Sequence, residues 1–160
     1  MPAPSEPKIA EPDSLATSAR IYLDSSALAK LYVPEVESDR LDSFLRGRTG
    51  LQISELSVTE VLSAVARRKR EGSLSAHQAL EIRDAVLTDT ESGSFQRLEL
   101  TRAVHREAER LLLSTDSLAL RTLDALHVAL AISGDCTHVV TYDVPMRAAA
   151  AQVGLKVLEL

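Results

Sequence analysis

The sequence predicts an α/β domain: a compact parallel β-sheet flanked by helices on both faces. Short apolar β-type runs alternate with helical segments, and connections built on helices join parallel strands rather than hairpins. One helical segment, residues 122–132, is apolar almost all round, which places it at the centre of the domain. The 160 residues suit one domain with one core, and 45% hydrophobic with 26% charged residues is ordinary globular composition.

Taken in order, residues 1–19 hold four of the six prolines, set among Ser, Glu and Ala. Burial there is too small to offset ordering entropy, so the segment reads as a loose tail ahead of a single domain at 20–160. Ile21, Tyr22 and Leu23 form a first strand ending at Asp24. Residues 25–32 read as helix, stopping ahead of Pro34, and 36–45 as a second helix. Residues 50–54 make the second strand. Residues 57–70 make a strong helix, with Val58, Val61, Leu62 and Val65 at 3-4 spacing and Gly72 just past its end. A further amphipathic helix at 75–87 leads to a third strand at 95–100 and a helix at 101–113. The apolar helix at 122–132, a strand at 139–141, a helix at 144–153 and a closing strand at 156–160 complete the pattern.

In open parallel sheets, ligands bind beyond the carboxyl ends of the strands. Four acids stand at such places. Asp24 ends the first strand, Asp143 follows the fourth, Glu60 lies in the first turn of the helix after the second strand, and Asp124 begins the apolar helix. With 23 acidic residues in the chain, no single one is notable, but each of these borders a strongly apolar run where charge is costly. Each also has a structural reading. Asp24 and Asp143 suit helix N-caps, Ser57 with Glu60 matches a capping box, and Asp124 suits a helix dipole. If the four meet in one hollow, their repulsion raises pKa values or recruits a divalent cation, and all-oxygen donors suit Mg²⁺ or Mn²⁺ rather than zinc. His127 has no Cys or second His at ligand spacing and reads as a packed histidine.

The net charge of -5 opposes general nucleic-acid binding unless cations offset the acids. With 3% aromatics and no Trp, base stacking is not the means of grip, which leaves the phosphates. Cationic candidates are Arg67 to Arg70 at a helix end, Arg102, Arg106 and Arg110 along one face, and Arg121 nearest the proposed hollow. The lone Cys136 excludes an intramolecular disulfide and reads as quietly buried. Without a run of ~20 apolar residues or the blocks of a signal peptide, the chain is expected in the cytoplasm, away from membranes.

Three segments resemble a known family. Ile21-Tyr22-Leu23-Asp24-Ser25-Ser26-Ala27-Leu28 looks like the opening of PIN-domain proteins, especially VapC-type toxins of bacterial toxin–antitoxin pairs. Arg121-Thr122-Leu123-Asp124-Ala125-Leu126-His127-Val128-Ala129 is similar to their internal motif. Val140-Thr141-Tyr142-Asp143, with Ala148 to Ala150 and Gly154-Leu155, resembles their C-terminal block. The similarity runs through 20–160 in the expected order, and the proline-rich tail is extra.

The resemblance implies that Asp24, Glu60, Asp124 and Asp143 are the family's acidic quartet, in an endoribonuclease that cuts RNA with Mg²⁺ (Mn²⁺ being the alternative). Within the quartet, Asp24, Asp124 and Asp143 are expected at the metal, directly or through water, and Glu60, which must reach in from a helix, is expected to orient a metal-bound water. Ser26 and Thr141 are candidate hydroxyls for fixing carboxylates, with local turn bonding as the alternative. Arg121 is a candidate for the substrate. The family further implies an antitoxin that places a basic residue in the acidic site, and a homodimer. Leu28, Leu31, Tyr32 and Val36 belong either to a partner groove or to the core. The rival reading is a PIN-like binding module without catalysis. Phospho-acceptor folds are disfavoured, because Ser26 stands where a haloacid-type phosphatase needs Asp and Ser25 breaks a receiver's acidic pair.

Overall fold

The computed structural model describes residues 14–114 and 120–160, together with the backbone of residues 9–10. In chain order it comprises β1 (Ile9–Ala10), β2 (Ile21–Leu23), α1 (Ser25–Ala29), α2 (Ser38–Leu45), β3 (Leu51–Ser54), α3 (Glu55–Arg70) and α4 (Ala76–Glu91). These are followed by β4 (Gln96–Leu98), α5 (Arg102–Ser114), α6 (Thr122–Ser133), β5 (His138–Val140), α7 (Val144–Gln152) and β6 (Lys156–Leu158). The strands form one sheet in the order β1-β6-β5-β2-β3-β4, parallel at every pairing.

The expected α/β architecture is present, with one addition. Ile9–Ala10, inside the stretch expected to be loose, pairs with Val157 and Leu158 as an edge strand, so backbone hydrogen bonding orders two residues that burial alone did not predict. Residues 1–8 and 11–13 of the expected tail lie outside the described residues.

Side-chain alternation divides the core in two. Tyr22, Val139 and Val157 are adjacent in register and face α5, α6 and α7. Leu23, Val140 and Leu158 face the other way, toward α1 to α4. Both faces are thus covered, which is what an all-parallel sheet requires. Helix α6 is buried without a break from Asp124 to Ala131, as its uniform apolarity predicts. Among the described residues no helix is long and apolar enough to cross a membrane.

Local signals explain the helix limits. Helix α3 ends in a Schellman motif: Gly72 takes φ +78°, its N–H reaches Lys69 O at 3.1 Å, and Ser73 N–H reaches Arg68 O at 3.0 Å. Its start corrects the sequence reading. Ser54, not Ser57, is the N-cap, accepting the Ser57 N–H at 3.0 Å, and Glu60 therefore lies in the second turn, outside any capping box. The Ser57 hydroxyl is instead buried and bonded to Tyr22, Ser54 and the Leu23 carbonyl. Of the four groove candidates, Leu28 is fully buried core, Leu31 and Tyr32 pack against it in part, and Val36 is exposed.

Where α6 ends, Gly134 lies on Gln52. A Cβ there would fall 2.1 Å from Gln52 Oε1 and 2.9 Å from Leu98 Cδ1. The amide has little room to retreat, since Gln52 is buried and holds Gly134 O at 3.1 Å, Gln96 at 3.2 Å and the Cys136 thiol at 3.0 Å. Gly134→Ala is therefore expected to destabilise the fold by about 1–3 kcal/mol through overpacking. Urea unfolding measures this, and an unchanged midpoint would show that the α6–β3 contact yields freely.

Candidate active site

From the central strand β2 the chain moves outward to β3 and β4 on one side; β5, β6 and β1 lie on the other. The boundary between β2 and β5 is the topological switch point. The segments leaving these two strands diverge to opposite faces and open a crevice at their carboxyl ends. Helix α1 follows β2 onto one face and α7 follows β5 onto the other.

A cleft of about 410 Å³ lies there, lined by Asp24, Ser26, Glu60, Arg121, Asp124, His127 and Asp143 together with Ser25, Thr122 and Leu123. All four acids singled out in the sequence therefore line one hollow, although they come from four separate segments.

Asp24 caps α1 and serves the cleft at once. Its Oδ1 accepts the Ala27 N–H at 2.9 Å and the Ser26 hydroxyl at 2.7 Å, while Oδ2 accepts the Thr141 hydroxyl at 2.6 Å. Ser26 Oγ in turn accepts the Tyr142 N–H at 2.8 Å, and Thr141 Oγ1 accepts the Asp143 N–H at 3.1 Å. These two hydroxyls tie the β2 and β5 ends together through the carboxylate. Asp24 is only 2% exposed, and burial raises its pKa despite the opposing hydrogen bonds from Thr141, Ala27 and Ser26.

Asp143 likewise has two uses. Its Oδ1 accepts the Met146 N–H at 3.0 Å as the N-cap of α7, and its Oδ2 accepts from Arg121 Nη2 at 3.0 Å. Asp124 sits at the third position of α6. Its Oδ2 accepts from Arg121 Nε at 3.2 Å and from the Arg121 backbone N–H at 3.4 Å. One guanidinium thus spans two carboxylates, through Nε to Asp124 and Nη2 to Asp143, two donors of its fixed planar fork.

Glu60 reaches in from α3. Its Oε2 meets His127 Nε2 at 2.5 Å, and His127 Nδ1 meets the Tyr22 hydroxyl at 2.8 Å. Burial opposes ionisation of Glu60, but the hydrogen bond and charge of His127, with a hydrogen bond from Ser25, outweigh it and lower the pKa. Burial raises the Tyr22 phenol well above its ordinary range, which keeps it a proton donor.

Positive charge expected among the acids is present in Arg121. The sequence reading pointed Arg121 at substrate; the structure pairs it with Asp124 and Asp143. Among the described residues, no three His, Cys, Asp or Glu side chains are grouped closely enough to hold a metal ion between them. The donor chemistry nevertheless suits a hard divalent cation. Every carboxylate in the cleft offers oxygen, Asp24 is held only by neutral donors, and Asp124 and Asp143 already share a cationic partner.

Three residues of this network carried no functional signal in the sequence. Tyr22, Ser54 and Ser57 read as strand or cap residues, and only a tyrosine inside an otherwise aliphatic strand hinted at a buried hydroxyl that needs partners. Of the other arginines, Arg68 pairs with Glu35 and Arg110 with Glu107, while Arg102 and Arg106 lie exposed on α5.

A wholly parallel α/β domain with four carboxylates at its switch point defines an acidic-cleft class of protein. Comparison with known proteins makes the class specific: the PIN domain model matches residues 21–152, and the chain belongs to that family. It is 36% identical over 142 residues to ribonuclease VapC46 of Mycobacterium tuberculosis, covering 88% of this chain and 97% of that one. The fold is also that of M. tuberculosis VapC20, described as a sarcin–ricin loop cleaving toxin (TM-score 0.65, 18% identity, 82% and 95% of the two chains covered). A third likeness is to a toxin–antitoxin complex from Klebsiella pneumoniae (TM-score 0.52, 18% identity, 77% and 86% covered).

The raised pKa of Asp24 fixes the sign of one pH effect. Its native state binds the proton more readily than the unfolded chain does, so the stability this lends is complete in acid and is lost as pH rises through the native pKa. Asp24→Asn removes that loss. In EDTA its Tm is expected to exceed that of the wild type at neutral pH, with the margin narrowing as pH falls toward the ordinary carboxylate range. A variant no more stable than the wild type at neutral pH would show that the buried charge is fully compensated.

Proposed function

We propose that the chain is a metal-dependent endoribonuclease, the toxin of a toxin–antitoxin pair. The observation that carries this reading is the meeting of Asp24, Glu60, Asp124 and Asp143, drawn from four distant segments, in one cleft at the switch point. The match to a relative named as a ribonuclease over nearly its whole length supports it.

In this reading Asp24, Asp124 and Asp143 hold Mg²⁺, or Mn²⁺ in its place. When bound, the ion makes water a better nucleophile and stabilises charge on the transferring phosphoryl group. The protein's own share is positioning. Thr141 and Ser26 fix both oxygens of Asp24, and the α1 cap holds the carboxylate where β2 ends. Glu60, ionised and partly exposed, accepts a proton from the attacking water or orients it. Arg121 is the cation nearest an incoming phosphate and moves from the carboxylates to the substrate as the cleft is loaded.

RNA is gripped through phosphates. A second cavity of about 270 Å³ shares Ser25, Ser26 and Glu60 with the cleft, and Lys30, Arg67 and Arg68 line its walls. Lys30 and Arg68 are both held by Glu35, which lines the same cavity, so the positive charge offered to a phosphate on this approach is that of Arg67. The partner is a cognate antitoxin that brings a basic group to the cleft, a reading supported by the affinity of Asp124 and Asp143 for the guanidinium of Arg121. We further propose a homodimer acting in the cytoplasm. The rival reading, a PIN-like binding module without catalysis, has no need of four acids in one cleft.

Cleavage of RNA by the wild type is expected to require Mg²⁺ or Mn²⁺ and to stop in EDTA. Asp24→Asn and Asp124→Asn should each lose at least ~100-fold in rate, in keeping with removal of a group that acts in the transition state. Wild-type protein that binds antitoxin yet never cleaves RNA with either metal would favour the binding module.

Arg121→Gln leaves Asp124 and Asp143 without their shared cation. Its Tm in EDTA is expected to fall below that of the wild type, and Mg²⁺ should raise it by more than it raises the wild type. Equal Mg²⁺ responses in thermal melts would mean that arginine and metal do not share the site.

A further inference from the structure

From the core to the wall of the cleft runs a chain of hydrogen bonds whose inner members, up to His127, have no assigned role. It begins at Ser54 and Ser57, whose hydroxyls lie 2.8 and 3.2 Å from the Tyr22 hydroxyl. It continues to His127 Nδ1 at 2.8 Å and ends at Glu60 Oε2, 2.5 Å from His127 Nε2. The residues come from β2, from the β3–α3 junction, from α6 and from α3. We propose that His127, locked by Tyr22, is a positioning residue that holds the Glu60 carboxylate in its working orientation for RNA cleavage. The proposal rests on the nuclease reading given above.

Donor and acceptor rules give the chain a direction. An ionised carboxylate only accepts, so His127 donates through Nε2–H. In the neutral ring Nδ1 then accepts the Tyr22 hydroxyl, Tyr22 accepts from Ser54, Ser54 Oγ accepts the Ser57 N–H, and the Ser57 hydroxyl donates to Leu23 O at 3.3 Å. Every proton has an acceptor. In the imidazolium the bond at Nδ1 reverses, and the Nε2–H still points at Glu60. His127 is 3% exposed and its ring is also tilted against Tyr22, with centroids 5.9 Å apart. Enclosed in this way, His127 acts on Glu60 rather than on RNA.

Glu60 needs such a partner. It extends from the second turn of α3 on three rotatable bonds and is partly exposed, so its orientation is set from other elements, by His127 of α6 and by Ser25 of α1, of which only His127 is anchored in the core. A hydrogen-bonded imidazole whose other nitrogen is anchored in the core orients the ligating or reacting group it touches, as outer partners of catalytic carboxylates and histidines commonly do.

A double-mutant cycle tests the proposal, using the full chain, Mn²⁺ and a labelled pool of random-sequence RNA under single-turnover conditions. His127→Leu is expected to lower the cleavage rate by ~10–100-fold, with Mn²⁺ affinity from calorimetry unchanged. His127→Gln, which retains a donor at the end of its side chain, should recover much of that rate. Placed on Glu60→Gln, His127→Leu should cost nothing further, because the group it acts through is already gone. Equal losses with and without Glu60, an unaffected rate, or weakened Mn²⁺ binding would overturn the role. If His127→Leu does not fold, Tyr22→Phe run through the same cycle with Glu60→Gln decides between the same outcomes. A wild type without metal-stimulated cleavage removes the nuclease reading itself and His127's role with it, whereas a cleaving wild type with additive losses removes only the latter.

Discussion

Negative charge gathered around one cleft at the end of a parallel sheet is the constraint around which this molecule is arranged. The carboxylates share one hollow, and each is made tolerable by a different chemical means. Asp24 is buried among neutral hydroxyl and amide donors and keeps its proton more readily than usual. Asp124 and Asp143 share one guanidinium. Glu60 leans on an imidazole that is itself anchored in the core. Three solutions in one site keep like charges close without requiring all of them to be ionised and unpaired at once.

The sheet order makes this crowding possible. Because the chain turns outward in both directions from β2 and β5, the helices that follow them leave on opposite faces, and their N-caps flank the crevice between. Asp24 and Asp143 are those N-caps. The structural and functional readings of these residues are not rivals, since a carboxylate has two oxygens. Asp143 gives Oδ1 to the backbone of its helix and Oδ2 to the cleft. Capping thereby fixes the side chain's direction, which is what a site needs from its scaffold.

Helix α6 joins the core to the chemistry. Buried along eight consecutive residues, it cannot slide or turn without disturbing α5 and the sheet. Asp124 and His127, three residues apart, project from one side of it toward the cleft. Asp124 closes the Arg121 bridge and His127 reaches Glu60 on the far wall. Rigid packing of an apolar helix thus sets the distance between the two sides of the site.

The sequence by itself determined the layered α/β fold and the four acids, because period, apolar runs and the order of the motifs are local properties that survive without coordinates. Helix limits were legible where a cap or a glycine marks them, as at Gly72, and misread at Ser57, where two serines three residues apart could each begin the helix and only packing around Tyr22 chose Ser54. The edge strand at Ile9–Ala10 was hidden because its order comes from pairing with β6, over a hundred residues away in the chain. Tertiary structure alone decided which charge meets which: that Arg121 spans Asp124 and Asp143, and that His127 stands between Tyr22 and Glu60. Such pairings depend on directions and distances between segments remote in sequence, and side-chain identity alone does not encode them.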